Sequence, residues 1–157
     1  MHKINGELWF DTQGNHINAH AGGIIWHKNR YYWYGEHKGA EWEGRLSYDG
    51  VHCYSSKDLI EWKNEGLVLK VSNDPKSPIS KGCRIERPKV LFCKKTGKFV
   101  MWWHSTDANH FIAKSGVALS DSPVGPFELV HALRPDAGVW PLNVTSNDKN
   151  SETIKSA

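Results

Sequence analysis

The apolar residues of this chain form short runs that are separated by polar or glycine-bearing turns. Short runs rich in aromatic and β-branched residues are typical of β-strands rather than of helices. In the first half of the sequence they predict strands at residues 7–12, 24–26, 31–36, 51–55 and 65–69. Residues 37–50 are polar and contain glycine, and we expect them to form a loop.

The same pattern starts again in the second half of the chain. The strands predicted there are residues 89–93, 99–104 and 116–120. Ser55 aligns with Ser120 and Trp62 with Phe127, and the members of each pair are 65 positions apart. A repeated four-stranded unit with an aromatic residue near its end is typical of β-propeller blades, whereas a sandwich of two similar halves is the alternative. We therefore predict an all-β chain and favour the propeller.

Residues 85–90 place a carboxylate and a guanidinium, Glu86 and Arg87, at the start of an apolar run. Pro88 cannot donate to a sheet ladder, so its presence indicates an edge strand. An edge strand that is apolar on both faces from Val90 predicts the innermost strand of a blade, because that strand borders the central channel. Glu86 and Arg87 would then face the channel, where polar ligands bind. A surface ion pair at a strand start is the alternative.

Composition narrows the function classes. The 157 residues include eight Trp, five Tyr and five Phe, which favours β structure around one sizeable core. The formal net charge is +3 with both signs interspersed, so we expect no nucleic-acid and no membrane partner. No apolar run approaches the roughly 20 residues of a membrane span. Residues 1–7 lack the apolar segment of a signal peptide, and the localisation is left open.

Neither a metal nor a cofactor is predicted. Cys53, Cys83 and Cys93 form no C-x-x-C pair, so neither a disulfide framework nor a zinc site is indicated. Of the nine histidines, His16 and His20 are four positions apart, but their glycine-rich strand context argues against a helical ligand pair. We expect His20 to be a pocket or structural residue near the axis.

The character of the chain changes at Gly138. Residues 143–157 are mostly Ser, Asn, Lys and Thr with almost nothing to bury, which predicts a disordered tail. We therefore expect an N-terminal domain of residues 1–137, with about two blades and the start of a third. A divergent tail, residues 138–157, follows it.

Together these motifs resemble glycoside hydrolase family 43, specifically its exo-β-1,3-galactanase-like branch. The likeness covers roughly residues 8 to 135 and is specific in combination. The stretches that carry it are residues 18–24, 31–36, 53–59, 85–90, 95–102, 116–118 and 120–123. The family fold is a five-bladed β-propeller with the sugar bound at its axial end. The resemblance therefore implies a partial five-bladed propeller, the N-terminal part of the whole.

The resemblance also assigns sugar-binding roles. Glu86 matches a glutamate that lies against the terminal galactose, Arg87 matches its pocket neighbour, and Glu36 matches a further pocket carboxylate. Flat faces for a pyranose come from tryptophans, but adjacent strand residues face opposite ways, so one of Trp102 and Trp103 belongs to the packing between blades. A histidine, His110, stands where a sugar-contacting tyrosine is expected. The predicted substrate-binding residues are His20, Glu36, Glu86, Arg87, Trp103 and His110.

No catalytic residue is predicted in this chain. In the family, the proton donor and the group that positions the water come from later blades. Residues 18–20 offer no carboxylate where most of the family has an aspartate base. After Pro135 the chain also lacks the Arg-Asp-Met strand into which the family continues.

Three functions follow from the sequence. The leading hypothesis is a glycoside hydrolase that acts on β-galactan side chains of plant-type polysaccharides. Its partner would be an oligo- or polysaccharide. The chain would be truncated and inactive by itself. The second is a sugar-binding module without catalysis. The third is a non-functional remnant whose tail arose from a shifted reading frame. Two blades leave two apolar flanks uncovered, so we expect either a fragment of a longer protein or self-association through those flanks.

Overall fold

The computed structural model describes residues 6–42, 45–107 and 113–135. Within these ranges it contains no helix, and so none that could cross a membrane. Its strands are β1 (His20–His27), β2 (Arg30–Trp42), β3 (Arg45–Ser56), β4 (Lys63–Lys70), β5 (Arg84–Cys93), β6 (Lys98–Thr106), β7 (Ala113–Ser120) and β8 (Glu128–Leu133). They form two antiparallel four-stranded meanders, blade I (β1 to β4) and blade II (β5 to β8). The chain is thus all-β and forms a partial β-propeller.

Tight turns join neighbouring strands where the sequence supplies residues that tolerate a left-handed backbone. Lys28 and Asn29, between β1 and β2, have φ angles of 46° and 61°. Two consecutive positive φ angles are what a type I′ hairpin turn requires. Gly97, with a φ of 69°, closes the hairpin between β5 and β6 in the same part of backbone space. Both turns lie where the polar residues predicted them.

The main core lies between the two blades. Its fully buried members are Tyr34, Val51 and Cys53 from blade I, and Ile85, Met101 and Ala118 from blade II. Hydrogen bonds also cross this interface, because the Tyr34 hydroxyl donates to the Pro123 carbonyl oxygen at 2.7 Å. Strand β5 contacts β1, β2 and β3, so it lies at the junction of the blades.

The two blades repeat one plan, but the predicted equivalence of Ser55 with Ser120 is wrong by one residue. Ser120 ends β7, and its hydroxyl accepts the Ser122 amide at 3.1 Å. In blade I the residue in this role is Ser56, which ends β3 and accepts the Asp58 amide at 3.1 Å. Ser56 and Ser120 are therefore the equivalent turn caps, and the turn of blade II is one residue longer.

The predicted aromatic anchors occupy corresponding places after the third strand of each blade. Trp62 and Phe127 are both buried, with 1% and 5% of their surface exposed. Phe127 belongs to the core between the blades. Trp62 instead packs with Ile17, Ala19 and Tyr54 in a second cluster.

The prediction of a loop at residues 37–50 is wrong. Strands β2 and β3 both extend into this stretch, and their ladder pairs Lys38 with Tyr48. The pairing shifts register on each side of Lys38. Such bulges absorb extra residues in an antiparallel pair, so the sequence loses the strict alternation by which strands are recognised.

The predicted lead-in strand at residues 7–12 is also absent. An isolated bridge between Phe10 and His16 encloses a turn in its place. The Asp11 carboxylate accepts the backbone amides of Gln13 and Asn15, each at 2.9 Å. A side chain that bonds its own backbone a few residues on stabilises a turn rather than a ladder.

Strand β5 is the edge strand of blade II, as Pro88 indicated. Its burial is one-sided, however: Val90 is 3% exposed, whereas Leu91 is 65% exposed. From Val90 the strand is therefore apolar on both faces but, in the described part of the chain, buried on one of them. The predicted tail, residues 138–157, and its boundary with residues 1–137 lie outside the described residues.

Candidate substrate-binding site

The inner strands of the two blades, β1 and β5, lie side by side and begin with the same irregularity. In each strand the pairing with the next one shifts register just after a polar residue, His20 in β1 and Glu86 in β5. The residue that follows has a left-handed backbone in both cases, with φ angles of 46° at Ala21 and 53° at Arg87. His20 and Glu86 therefore occupy equivalent positions in the two blades.

Arg87 is held in a strained conformation at this point. A left-handed backbone costs a residue other than glycine about 1–2 kcal/mol, and such outliers cluster at functional sites. The backbone amide of Arg87 donates to Oε1 of Glu36 at 2.8 Å, across the junction between blades. The Arg87 side chain is exposed. The exposed Arg87 side chain therefore starts from a backbone position that Glu36 of blade I holds in place.

Glu36 is a buried carboxylate, with 4% of its surface exposed. Oε1 accepts the Arg87 amide, and Oε2 accepts a hydrogen bond from Lys38 Nζ at 2.6 Å. The same ammonium lies 3.5 Å from the centroid of the Tyr48 ring. Charge-assisted hydrogen bonds of this kind are about twice as strong as neutral ones. Glu36 therefore joins blade I to the strained turn of blade II.

Glu86 is more open, and groups from both blades surround it. The Tyr48 hydroxyl of blade I donates to Oε1 at 3.4 Å. His104 of blade II places Nε2 3.9 Å from Oε2, beyond hydrogen-bond distance. An ionised carboxylate has about four acceptor sites, so Glu86 retains capacity for a ligand's hydroxyl groups.

Solved structures are similar to this chain in sequence and fold, whereas no family model and no curated protein matches it. A family 43 β-1,3-galactosidase solved with galactodeoxynojirimycin is 45% identical, with a TM-score of 0.79, over 94% of this chain and 43% of that one. A variant of an exo-β-1,3-galactanase from Phanerochaete chrysosporium, solved with β-1,3-galactotriose, is 35% identical, with a TM-score of 0.77, over 85% and 30%. An exo-β-1,3-galactanase from Clostridium thermocellum is 40% identical, with a TM-score of 0.74, over 86% and 28%.

The chain belongs to glycoside hydrolase family 43. The resemblance read from the sequence motifs, to the N-terminal part of the galactanase-like branch, is confirmed by these likenesses. The family 43 chain spans less than half of the length of each of the three structures.

The predicted sugar-binding residues of the family 43 chain fall into three groups. Glu36, Glu86 and Arg87 come together at the junction of the inner strands, and His20 is exposed at the start of β1. Trp103 lies elsewhere, in the core between the blades. His110 lies outside the described residues.

Trp103 is 3% exposed, and its ring lies against Gly116 so closely that a Cβ there would come within 2.0 Å of it. It has no free face for a sugar in this arrangement, and its predicted sugar contact finds no support in that position. Its neighbour Trp102 faces the other way and is 44% exposed. The expected split of this pair into one core and one outward residue therefore matches their burial. Trp33 packs edge-on against Trp9 and Trp62, which is a packing role.

Sequence reasoning missed Lys38, Tyr48 and His104, which surround the two glutamates. Lys38 and Tyr48 lie in the stretch that was predicted to be a loop, so their side chains could not be placed. The spacing of Glu36 and Lys38 was an available signal, because residues two apart on a strand share a face.

Two further histidines next to this cluster contact each other through their rings. Nδ1 of His37 and Nδ1 of His52 are 2.9 Å apart. Nε2 of His52 lies 2.7 Å from Oδ1 of Asn64, an oxygen that also accepts the Gly66 amide. His52 therefore donates from Nε2 and, when neutral, accepts from His37 at Nδ1.

Burial lowers the pKa of both His37 and His52. For His37 the neighbouring His52 lowers the pKa further, and Asp49 opposes the shift. The pair therefore favours its neutral form. Within the described ranges, no group of three or more His, Cys, Asp and Glu side chains is placed to hold a metal ion.

Proposed function

We propose that this chain forms the sugar-facing part of a glycoside hydrolase site for β-galactan side chains, with Glu86 and Arg87 as its substrate-binding pair. The observation that carries the proposal is the open Glu86 carboxylate beside the exposed Arg87 guanidinium, on a strained bulge that Glu36 holds. Two of the similar structures were solved with a galactose-type ligand, which supports the choice of sugar.

The chemistry of the pair suits a sugar with neighbouring hydroxyl groups. The Glu86 carboxylate accepts hydrogen bonds from hydroxyl groups, while the Arg87 guanidinium donates to their oxygens. Because the Arg87 amide is bonded to Glu36, the donors start from a fixed point on the backbone. A preorganised site of this kind loses less entropy when it binds a ligand.

Hydrolysis needs more than this pair. A glycosidase uses two carboxyl groups that flank the scissile bond, about 5–5.5 Å apart in retaining and about 6.5–9.5 Å apart in inverting enzymes. Both oxygens of Glu36 are bonded within the protein and the residue is buried, so it is poorly placed as an acid or a base. We therefore expect this 157-residue chain to bind sugar with little or no turnover.

A sugar-binding module without catalysis is the second candidate. The same observation favours it, since binding needs the open Glu86 and the exposed Arg87 but no partner carboxylate. The two candidates differ in whether further blades complete the reaction, so binding and turnover have to be measured side by side.

Calorimetric titration of the full chain with galactose and β-1,3-galactobiose tests the site, with glucose as the control sugar. We expect the Glu86→Gln variant to bind at least tenfold more weakly, because the carboxylate becomes a neutral amide. The matched control is Glu61→Gln, in an exposed turn. The proposed site is contradicted if the folded wild-type chain binds neither galactose nor β-1,3-galactobiose. It is also contradicted if the Glu86→Gln variant binds as tightly as the wild-type chain.

A reducing-sugar assay on β-1,3-galactan tests the expected lack of turnover. Rapid release of galactose by the purified chain would overturn the expectation of little or no turnover. Binding without release supports the binding role of this chain, whether alone or as part of a larger hydrolase.

A further inference from the structure

Each blade of the described fold has one face packed against the other blade and one face that is free of it. The free face of blade I exposes Ile24 and Trp26 by 50% and 54%. Beside them, a groove of about 550 Å³ is lined by Trp33, Trp62 and the glycines of β1. The free face of blade II exposes Leu91 by 65% and Trp102 by 44%. Large apolar patches of this kind mark interaction surfaces.

The free face of blade I is built like the face with which blade II packs on blade I. The pairing of β1 with β2 has the same register as that of β5 with β6 when residues are counted from the pair that closes each hairpin, His27 with Arg30 and Cys93 with Lys98. Ile24 is thereby the equivalent of Val90, and Trp33 the equivalent of Met101. Val90 and Met101 are 3% and 0% exposed because they pack in the core between the blades.

The converse holds for the free face of blade II. By the same registers Leu91 is the equivalent of Ile25, and Trp102 the equivalent of Tyr34. Tyr34 is fully buried and bonded to blade II through Pro123, and Ile25 packs against the same core. On the blade I face, Trp9, Ile17 and Ala19 already pack against Tyr54 and Trp62, so the part that repeats the joint is the one next to β1. The part of each free face next to its inner strand therefore repeats one half of the joint that already exists inside the chain.

We propose that copies of this chain assemble head to tail, with the free face of blade II of one copy packed on the free face of blade I of the next. The contact is heterologous, so it must either close into a ring or continue as a filament. The described residues of each copy supply two blades, and propellers close with about four to eight blades. Neighbouring blades are rotated by about 72° in a five-bladed ring, by about 60° in the six-bladed ring of three copies and by about 90° in the four-bladed ring of two copies. Three copies change the rotation between blades less from its five-bladed value than two copies do, so the expected assembly is a closed ring of three chains.

Sedimentation equilibrium and light scattering of the purified chain test this proposal without any sugar. The expected mass is about three times the 17.8 kDa of one chain. Leu91→Glu charges the free face of blade II, and Ile24→Glu charges that of blade I. Because both positions are exposed, far-ultraviolet circular dichroism should show that each variant keeps its fold. The control is Val124→Glu, an exposed apolar residue in the turn before β8, which should leave the assembly intact.

Mixing the two face variants gives the sharpest outcome. Each variant alone should be a single chain, because every contact joins a blade I face to a blade II face and each variant has lost one of the two in all its copies. An equimolar mixture should contain a two-chain species, since the Leu91→Glu chain keeps a good blade I face and the Ile24→Glu chain keeps a good blade II face.

Three results would overturn the proposal. One is a folded wild-type chain that stays monomeric at a protein concentration of about 50 µM, which is well above the dissociation constants of ordinary stable interfaces. Another is dissociation by only one of the two face variants, which indicates a symmetric contact of one face with itself. The third is a single wild-type chain that associates once residues 136–157 are deleted, which indicates that this segment covers the faces.

Discussion

Glu36 carries its charge in a buried position. Its Oε1 is bonded to a group of blade II and its Oε2 to a group of blade I. Its neighbours explain how the protein tolerates this. Lys38 supplies the counter-charge at 2.6 Å, and the Arg87 amide supplies a second donor. Removing one member of such a network is more costly than the network's net contribution, because the remaining charge is left without its partner.

We therefore expect Glu36→Gln to lower the free energy of unfolding by about 2–3 kcal/mol. The amide still accepts the Arg87 backbone bond, but it cannot neutralise Lys38, whose side chain is only 18% exposed. Urea denaturation followed by tryptophan fluorescence measures the loss. The control is Asp121→Asn, which breaks the exposed pair with Lys98 and should cost under about 0.5 kcal/mol. Equal losses in the two variants would contradict the role of Glu36 as the joint between the blades.

At the scale of elements, the long hairpin of β2 and β3 brings together two histidines that are 15 positions apart. Their pairing depends on one neutral acceptor nitrogen. Since burial lowers the pKa of both rings, the unfolded chain takes up protons at a higher pH than the folded chain does. Wherever the unfolded state binds more protons, stability increases with pH.

We expect the chain to lose stability as the pH falls below about 6.5, the ordinary pKa of histidine. Urea midpoints at pH 7.5 and pH 5.5 measure the loss while Asp and Glu side chains stay ionised. In His37→Gln the side-chain amide can still donate to His52 but cannot titrate. The decrease between the two pH values should therefore be smaller in this variant. A decrease as large as that of the wild-type chain would show that the pair is not its source.

At the scale of the whole molecule, the two blades share one core rather than having one each. Because the buried cluster contains residues from both sheets, neither blade can unfold without exposing the other. We expect a single cooperative unfolding transition for the described part of the chain. The Tyr34 hydroxyl tests this joint directly, since its bond to the Pro123 carbonyl oxygen crosses it.

Tyr34→Phe should cost about 1 kcal/mol of stability, the usual net value of a hydrogen bond. The loss should appear equally in circular dichroism and in fluorescence, because both blades unfold together. Tyr32→Phe is the matched control, on the same strand, and should change stability by less than about 0.5 kcal/mol. Two separate transitions in either variant would contradict a shared core.

Much of the architecture was predictable because its causes are local. Turn residues such as Asn29 and Gly97 specify tight hairpins through their backbone preferences, and period-two alternation marks a strand wherever the ladder is regular. The stretch with Glu86, Arg87 and Pro88 was readable as the start of an inner edge strand for the same reason. The blade repeat was also visible, although a one-residue difference in turn length concealed that Ser56 is the true equivalent of Ser120.

The rest depends on contacts between residues that are distant in sequence, and only the tertiary structure decides those. Glu36 and Arg87 are 51 positions apart, so no local pattern could show that a predicted ligand-binding carboxylate bonds within the protein. The choice of Trp103 for the core and Trp102 for the free face depends on which side of the sheet the other blade covers. The sequence by itself determined the regular strands and tight turns of the two blades, through short-range backbone preferences, but not the bulged ends of β2 and β3. The packing of one blade on the other determined which polar groups remain open to a ligand.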